Sequence, residues 1–511
     1  MSVSKALVTT FFTVMVSMPL VSEAKSKKSA SLEEMWKIIQ QQQQQIATLQ
    51  EKLETQASPS PQQKPVAKGD TDSKSTRIES KGPDTVASAD SKSTTAGTVK
   101  SAKSDVERKT DILASEVEKL KSKLYIPDKR EYKVEYGLGP AASEIYRVNR
   151  GLSIGGYGEL FYSHQNNGYK STADDARAVI YVGYKFNDWI LMNSEFEFEH
   201  ASTGEGSEQK GEVSNEFAYL DFMTHPKFNI RTGLMLIPMG FINEIHEGPT
   251  FHGNYRPAVE QVIIPTTWRE VGAGIWGQLA DGLQYRMYAV NGLNAQGFNS
   301  YGITEGRQNG TYSLANNFAF TGRLDYYTPF APGLLVGASS WVGNSGQGNS
   351  FDGQTVSALT QLYEGHLQWH WRGFEMRVLG ALGRIGNSAQ LSAQLQANNP
   401  TDPSNNNTVG SKNYGWYAEG AYDIMPYLWP ESTHYLAPFF RYEHYNTLAA
   451  VPEGYSNYNG FYNQWIYQWG LTYKPIENVA VKLDYRNINA GGAYPGLAVP
   501  NQFNLGIAFM Y

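Results

Sequence analysis

The chain has 511 residues, a formal net charge of -6, a mean hydropathy of -0.45 and no Cys, which excludes a disulfide scaffold, thiolate metal sites and a Cys nucleophile. After residue 20 no apolar run approaches the roughly 18 residues that a spanning helix needs, so the sequence does not read as a helical membrane protein. Its 33 Tyr, 11 Trp and 49 Gly suit a β-rich chain, and a membrane barrel with aromatic girdles needs that mixture.

Residues 1–24 read as a secretory signal. Lys5 supplies the positive start, Ala6 to Leu20 is mostly apolar, and Ser22-Glu23-Ala24 fits a small-x-small cleavage site. Within residues 25–54 a periplasmic coiled coil is expected: Leu32, Ile39, Ile46 and Leu53 recur every seven residues, and Met35, Gln42 and Leu49 occupy the second seam position. A single amphipathic helix or a Gln-rich low-complexity tract is the plainer alternative. Residues 55–104 are rich in Ser, Thr, Lys, Pro, Ala and Asp, too polar to offset their ordering entropy, and are expected to be a disordered linker. Residues 105–150 hold a short helical seam (Leu113, Val117, Leu120, Leu124) and a connector.

From residue 151 to 511 the character changes to sixteen β-type segments, close to the length that membrane strands use. They are 152–163, 175–186, 189–200, 213–224, 228–238, 268–280, 282–291, 316–328, 333–342, 356–371, 373–385, 413–424, 434–446, 463–473, 479–489 and 501–511. Their connections alternate. Short ones such as Asn187-Asp188, His225-Pro226-Lys227 and Arg372 carry turn residues, and long ones run over 164–174, 201–212, 239–267, 292–315, 343–355, 386–412, 447–462 and 490–500. That two-sided asymmetry predicts an all-β transmembrane barrel of 16 antiparallel strands, with turns in the periplasm and loops outside, whereas a soluble sandwich has no reason for it.

The strands alternate. In the last one Phe503, Leu505, Ile507, Phe509 and Tyr511 oppose Asn504, Gly506 and Ala508. In 479–489, Val481, Leu483 and Tyr485 oppose Lys482, Asp484 and Arg486, and in 356–371 Tyr363, Leu367, Trp369 and Trp371 oppose Glu364, His366, Gln368 and His370. A charge facing lipid at mid-depth costs about 2–4 kcal/mol for Arg or Lys, so the charged ridges face inward and the interior is wet. Sixteen strands make a barrel wide enough for an aqueous channel.

The third long loop, 239–267, mixes buried-type and ionic residues, which predicts a loop folded into the lumen rather than an external shield. At its two ends stand Ile237-Pro238-Met239-Gly240-Phe241-Ile242-Asn243-Glu244 and Pro265-Thr266-Thr267-Trp268-Arg269-Glu270-Val271-Gly272; the first strand opens with Gly155-Gly156-Tyr157-Gly158-Glu159. In these runs, over residues 150–511, the chain resembles the phosphate-selective porin O/P family of outer-membrane porins. The resemblance implies a homotrimer of sixteen-stranded barrels, a constricting third loop, in some members a leading coiled coil, and an arginine ladder with a lysine cluster that guides phosphate. The lysine cluster has no residue-by-residue match here.

The expected pore-lining and constriction residues are Arg231, Asn243, Glu244, His246, Glu247, Arg256, Arg269, Arg286, Arg323, Arg377, Arg441 and Arg486. Residues 151–511 carry 30 Asp and Glu against 19 Lys and Arg, so Glu195, Glu197, Glu199, Glu364, Glu375, Glu419, Asp423, Glu443 and Asp484 are expected to share the water with those arginines. Selectivity for phosphate or other anions and an unspecific pore for small hydrophilic solutes both stay open. His366, His370 and Glu364 read as solvated lumen side chains, and neither metal nor cofactor is expected. His246 with Glu244 and Glu247 lacks a distinct nucleophile, so no enzyme is expected. The expected partners are outer-membrane lipid, other copies of the chain, and peptidoglycan or another periplasmic partner for the stalk, with no nucleic acid. The alternative class is an envelope protein whose barrel only anchors a periplasmic coiled-coil tether.

Overall fold

The computed structural model describes residues 112, 115, 134–166, 168–202, 211–398 and 407–511. The expected signal, coiled coil and linker lie outside the described residues. The strands are β1 (Gly151–Gln165), β2 (Thr172–Lys185), β3 (Ile190–Glu199), β4 (Val213–His225), β5 (Phe228–Leu236), β6 (Arg269–Ala280), β7 (Leu283–Asn291), β8 (Phe318–Tyr327) and β9 (Leu334–Asn344). A small hairpin follows, β10 (Ser350–Phe351) and β11 (Gln354–Thr355). Then come β12 (Leu359–Trp371), β13 (Phe374–Ile385), β14 (Lys412–Tyr422), β15 (Tyr435–Ala450), β16 (Asn463–Ile476), β17 (Val479–Ala490) and β18 (Gln502–Met510).

Apart from the hairpin, each strand pairs antiparallel with its neighbours in sequence, and β1 closes the ring on β18 from Tyr157↔Met510 to Gln165↔Gln502. Closure leaves no open sheet edge. The sixteen expected strands match these within a few residues. The larger shifts sit at bulges: β15 runs on to Ala450, which pairs with Lys412 past an irregularity, and β16 runs on to Ile476. No helix among the described residues is long and apolar enough to cross a membrane.

The period of two decides the faces. Phe503, Leu505, Ile507 and Phe509 of β18 are exposed on the outside while Asn504 and Ala508 are buried within. A bulge breaks the rule in β4: Glu195 pairs with Phe217 and Phe196 with Asn215, so Glu216 is the extra residue. Glu216 and Phe217 are both fully buried, one after the other, on the inner side.

Two segments fill much of the interior. Residues 134–150, read from sequence as part of a connector, pack inside the barrel ahead of β1, with a helical turn at Glu144–Arg147. They touch the inner faces of β2 to β7: Ile145 lies on Gly183, Asn193 Nδ2 donates to the Ala142 carbonyl (3.0 Å), and Tyr136 packs on Trp276 at 4.9 Å between ring centres. The loop between β5 and β6 is the second segment. Its contacts reach β15, eight strands away in the ring, so it crosses to the opposite wall. The loop after β7 packs on it in turn, Thr304 Oγ1 donating to the Gln261 carbonyl, and is tied to β15 by Thr447 Oγ1 donating to the Ser300 carbonyl.

Candidate functional site

The inward loop is held at its root by Asn243. The Asn243 amide donates to the carbonyls of Ile237 (2.7 Å) and Trp268 (2.9 Å) and accepts from the Trp268 N–H (2.6 Å). Those three bonds tie the two ends of the loop together, so Asn243 is a structural clamp. Across the lumen the loop backbone is gripped by cations of the far wall. Lys482 Nζ donates to the carbonyls of Gly248 (2.6 Å) and Gly253 (2.9 Å), and Arg441 donates to those of His252 (3.3 Å) and Tyr255 (2.9 Å). Carbonyl oxygens that water would otherwise bond are thereby satisfied inside the barrel. Glu260 accepts from Tyr417 Oη (2.6 Å) and from the Ile242 N–H (2.8 Å). Burial raises its carboxyl pKa against both bonds.

The pre-barrel segment is locked from the wall. Tyr146 Oη donates to Asp221 (2.6 Å), and Arg231 donates to Tyr146 Oη (2.7 Å) and twice to Asp221 (2.8 and 2.9 Å). Burial holds the Tyr146 hydroxyl well above its ordinary pKa, so it stays a neutral donor. From the loop side Glu247 Oε1 accepts from the N–H groups of Ala141 (3.2 Å) and Ala142 (3.3 Å). The approach is possible because Gly139 has no side chain: a Cβ there would stand 1.4 Å from Glu247 Oε2. Burial also raises the Glu247 carboxyl, opposed by His246 and by those two N–H groups.

Between this plug, the loop and the wall of β7, β8, β9, β12 and β13 a cavity of about 590 Å³ remains. Tyr136 and Gly137 of the plug, Phe241 and Glu244 of the loop, and Arg286, Arg323, Asp325 and Arg377 of the wall line it. Glu244 sits 3.2 Å from Arg286 and 3.6 Å from Arg323, and both arginines also pair with Asp325. Burial raises the Glu244 carboxyl pKa, and the two guanidiniums oppose that rise. His366 joins this network between Glu364 (2.7 Å) and Asp325 (2.9 Å). Arg377 is different: it donates to the Thr250 carbonyl (2.8 Å), lies over the Phe241 ring and has no carboxylate within ion-pair distance among the described residues.

The structure thus gathers Glu244, Arg286, Arg323 and Arg377 at one opening. The other expected residues are placed elsewhere. Arg231 locks the plug, Asn243 clamps the loop root and Glu247 caps the plug backbone. Arg269 pairs with Glu216 (3.3 Å), Arg256 donates to Thr266 (2.7 Å), Arg441 pairs with Glu419 (2.9 Å) and Glu443 (3.1 Å), and Arg486 donates to Gln502 (3.1 Å). His246 lies against Glu195 and Glu216, buried to 2% exposure; burial pulls its imidazolium down, but those two carboxylates push it up to about 10. Sequence reasoning missed Asp325, although it stands two residues from Arg323 on the same strand face. It also missed Tyr146, for which no local signal exists.

No family model matches the chain. An uncharacterised protein of Aquifex aeolicus (strain VF5) is 41% identical over 371 residues, which are 72% of this chain and 82% of that protein. Similar solved structures include Salmonella typhi OmpF in complex with daunomycin, with TM-score 0.46 and 14% identity, covering 71% of this chain and 98% of that one. The outer membrane channel DcaP of Acinetobacter baumannii gives 0.45 and 12%, over 71% and 98%. An anion-selective porin from Comamonas acidovorans gives 0.42 and 10%, over 70% and 97%.

Proposed function

The chain belongs to the family of the uncharacterised Aquifex aeolicus protein, and we propose that it is an outer-membrane porin through which small hydrophilic solutes diffuse passively. The observation that carries this reading is the two-faced closed wall: aromatic and aliphatic side chains outside, ion pairs and amides inside. Hydrocarbon suits the first face, and only a wet or fully paired interior tolerates the second. The plug and the inward loop narrow the passage, and the opening they leave is lined by charges of both signs.

Phosphate selectivity is the finer form of this reading, and the pairing weighs against it. An anion filter needs a locally positive field. Arg231, Arg286, Arg323 and Arg441 each spend their charge on a neighbouring carboxylate. Among the described residues, Arg377 is the arginine that faces the opening without one. We therefore read the pore as weakly selective, with Arg377 as its main contribution toward anions.

Full-length protein refolded into planar bilayers is expected to give stepwise, steady openings. A folded barrel that never conducts would sink the porin and leave the membrane anchor for a periplasmic tether. Removing residues 25–125 is expected to leave the openings in place, because every pore residue named above lies after residue 134. The proposed homotrimer, which rests on the family resemblance, is checked by crosslinking in detergent. Replacing Arg377 by Glu is expected to move the reversal potential in a salt gradient toward cation preference; an unmoved potential would remove Arg377 from the pathway.

A further inference from the structure

We infer that Glu195, Glu216 and His246 form a binding site for a divalent transition-metal cation of the zinc type, one that pins the inward loop to the barrel wall. The sequence reading weighs only His366, His370 and Glu364 for a metal and expects none; strict alternation in β4 would place Glu216 outside. The bulge in β4 turns it inward, toward Glu195 of the adjacent β3 and His246 of the loop. The ligand atoms of the three residues lie within 4.8 Å of one another.

The hydrogen bonds of His246 assign the nitrogen that would take a metal. Nδ1 faces the backbone carbonyl of Asn243 at 3.2 Å, and a carbonyl only accepts, so Nδ1 carries the proton. Nε2 then points at two carboxylate oxygens, Glu195 Oε1 at 3.1 Å and Glu216 Oε2 at 3.3 Å. A lone pair aimed at two carboxylates is repulsive unless a proton or a cation lies between them. The spacing suits a cation: ligand atoms at the zinc distance of about 2.0 Å in a tetrahedron stand about 3.3 Å apart. The Nδ1 bond to a carbonyl is also the outer contact that orients a metal-bound imidazole.

Two further observations point to an occupant. The second oxygen of Glu195, a residue with 0% exposure, has no hydrogen-bond partner. Neither has the hydroxyl of Tyr157, which is 1% exposed, carries its ring edge-on to His246 at 5.8 Å, and lies in the field of Glu195, Glu197 and Glu216. The surrounding charge agrees. Glu159, Glu195, Glu197, Glu216 and Glu247 are all buried, and the guanidiniums beside them are Arg177 and Arg269. Carboxylates alone suit calcium or magnesium, but an imidazole in the set favours zinc and its neighbours.

The test uses full-length protein in detergent, stripped with a chelator and then titrated with Zn2+ by calorimetry. One zinc per chain is expected, with a rise in unfolding temperature, and both are expected to vanish in His246→Gln and in Glu195→Gln. No uptake by the wild type would mean that a proton fills the gap and would overturn the site. So would uptake that persists unchanged in both folded variants, which would place the zinc on exposed histidines. Should a variant fail to fold, X-ray absorption of the zinc-loaded wild type decides: one imidazole and two carboxylates support the site, and any other ligand set refutes it.

Discussion

Deleting residues 134–148 is expected to raise the single-channel conductance by about twofold or more, since conductance follows the open cross-section that these residues reduce. The barrel should survive the deletion. Strand pairing runs wall to wall without the plug, and Arg231 keeps its bonds to Asp221 when Tyr146 is gone. Glu247 loses the two N–H groups of Ala141 and Ala142, and water entering the vacated space can take their place. Gly139→Val is the milder version. It sets a branched side chain where Glu247 stands, so it should displace the plug without shortening the chain. Single-channel recording in one salt, with heat-modified mobility as the folding check, reads both variants. An unchanged step size from a folded deletion variant would show that the plug does not stand in the current.

Replacing Arg441 by Met is expected to cost about 3–5 kcal/mol of stability, the usual penalty for stranding buried charge. Arg441 is fully buried between Glu419 and Glu443, and it also bonds Gln468 and the carbonyls of His252 and Tyr255. The variant leaves two carboxylates without their counter-ion and frees the tip of the inward loop. Removing the charges together, as Arg441→Met with Glu419→Gln and Glu443→Gln, should recover much of the loss, since a stranded charge costs more than an absent pair. Urea unfolding in detergent measures both variants. Equal midpoints for wild type and the single variant would mean that solvent, not Arg441, holds these carboxylates.

The candidate site was partly legible. Glu244 stands out because Phe241, Ile242 and Ile245 beside it mark a loop that packs rather than waves in water. Arg286, Arg323 and Arg377 stood out because each sits on the polar phase of an alternating strand. What alternation does not carry is depth around and along the barrel. Arg231 and Arg377 read alike in sequence, yet one is spent on Asp221 and the plug while the other faces the cavity. Asn243 looked like a constriction residue and is a clamp, because its partners Ile237 and Trp268 become neighbours only when the loop folds back.

By itself the sequence determined the sixteen strands of the barrel, their order and, bulges apart, which side chains face out. Those follow from a period of two and from turn residues, both of which act between near neighbours. The tertiary structure alone decided which charges meet. Tyr146 reaches Arg231, and Lys482 reaches Gly248, across separations that no local pattern encodes. One extra residue in β4 turned Glu216 from the outer face to the inner. Coulomb energy and desolvation depend on distances set by ring closure and loop return, so the chemistry of the passage takes shape only when the barrel does.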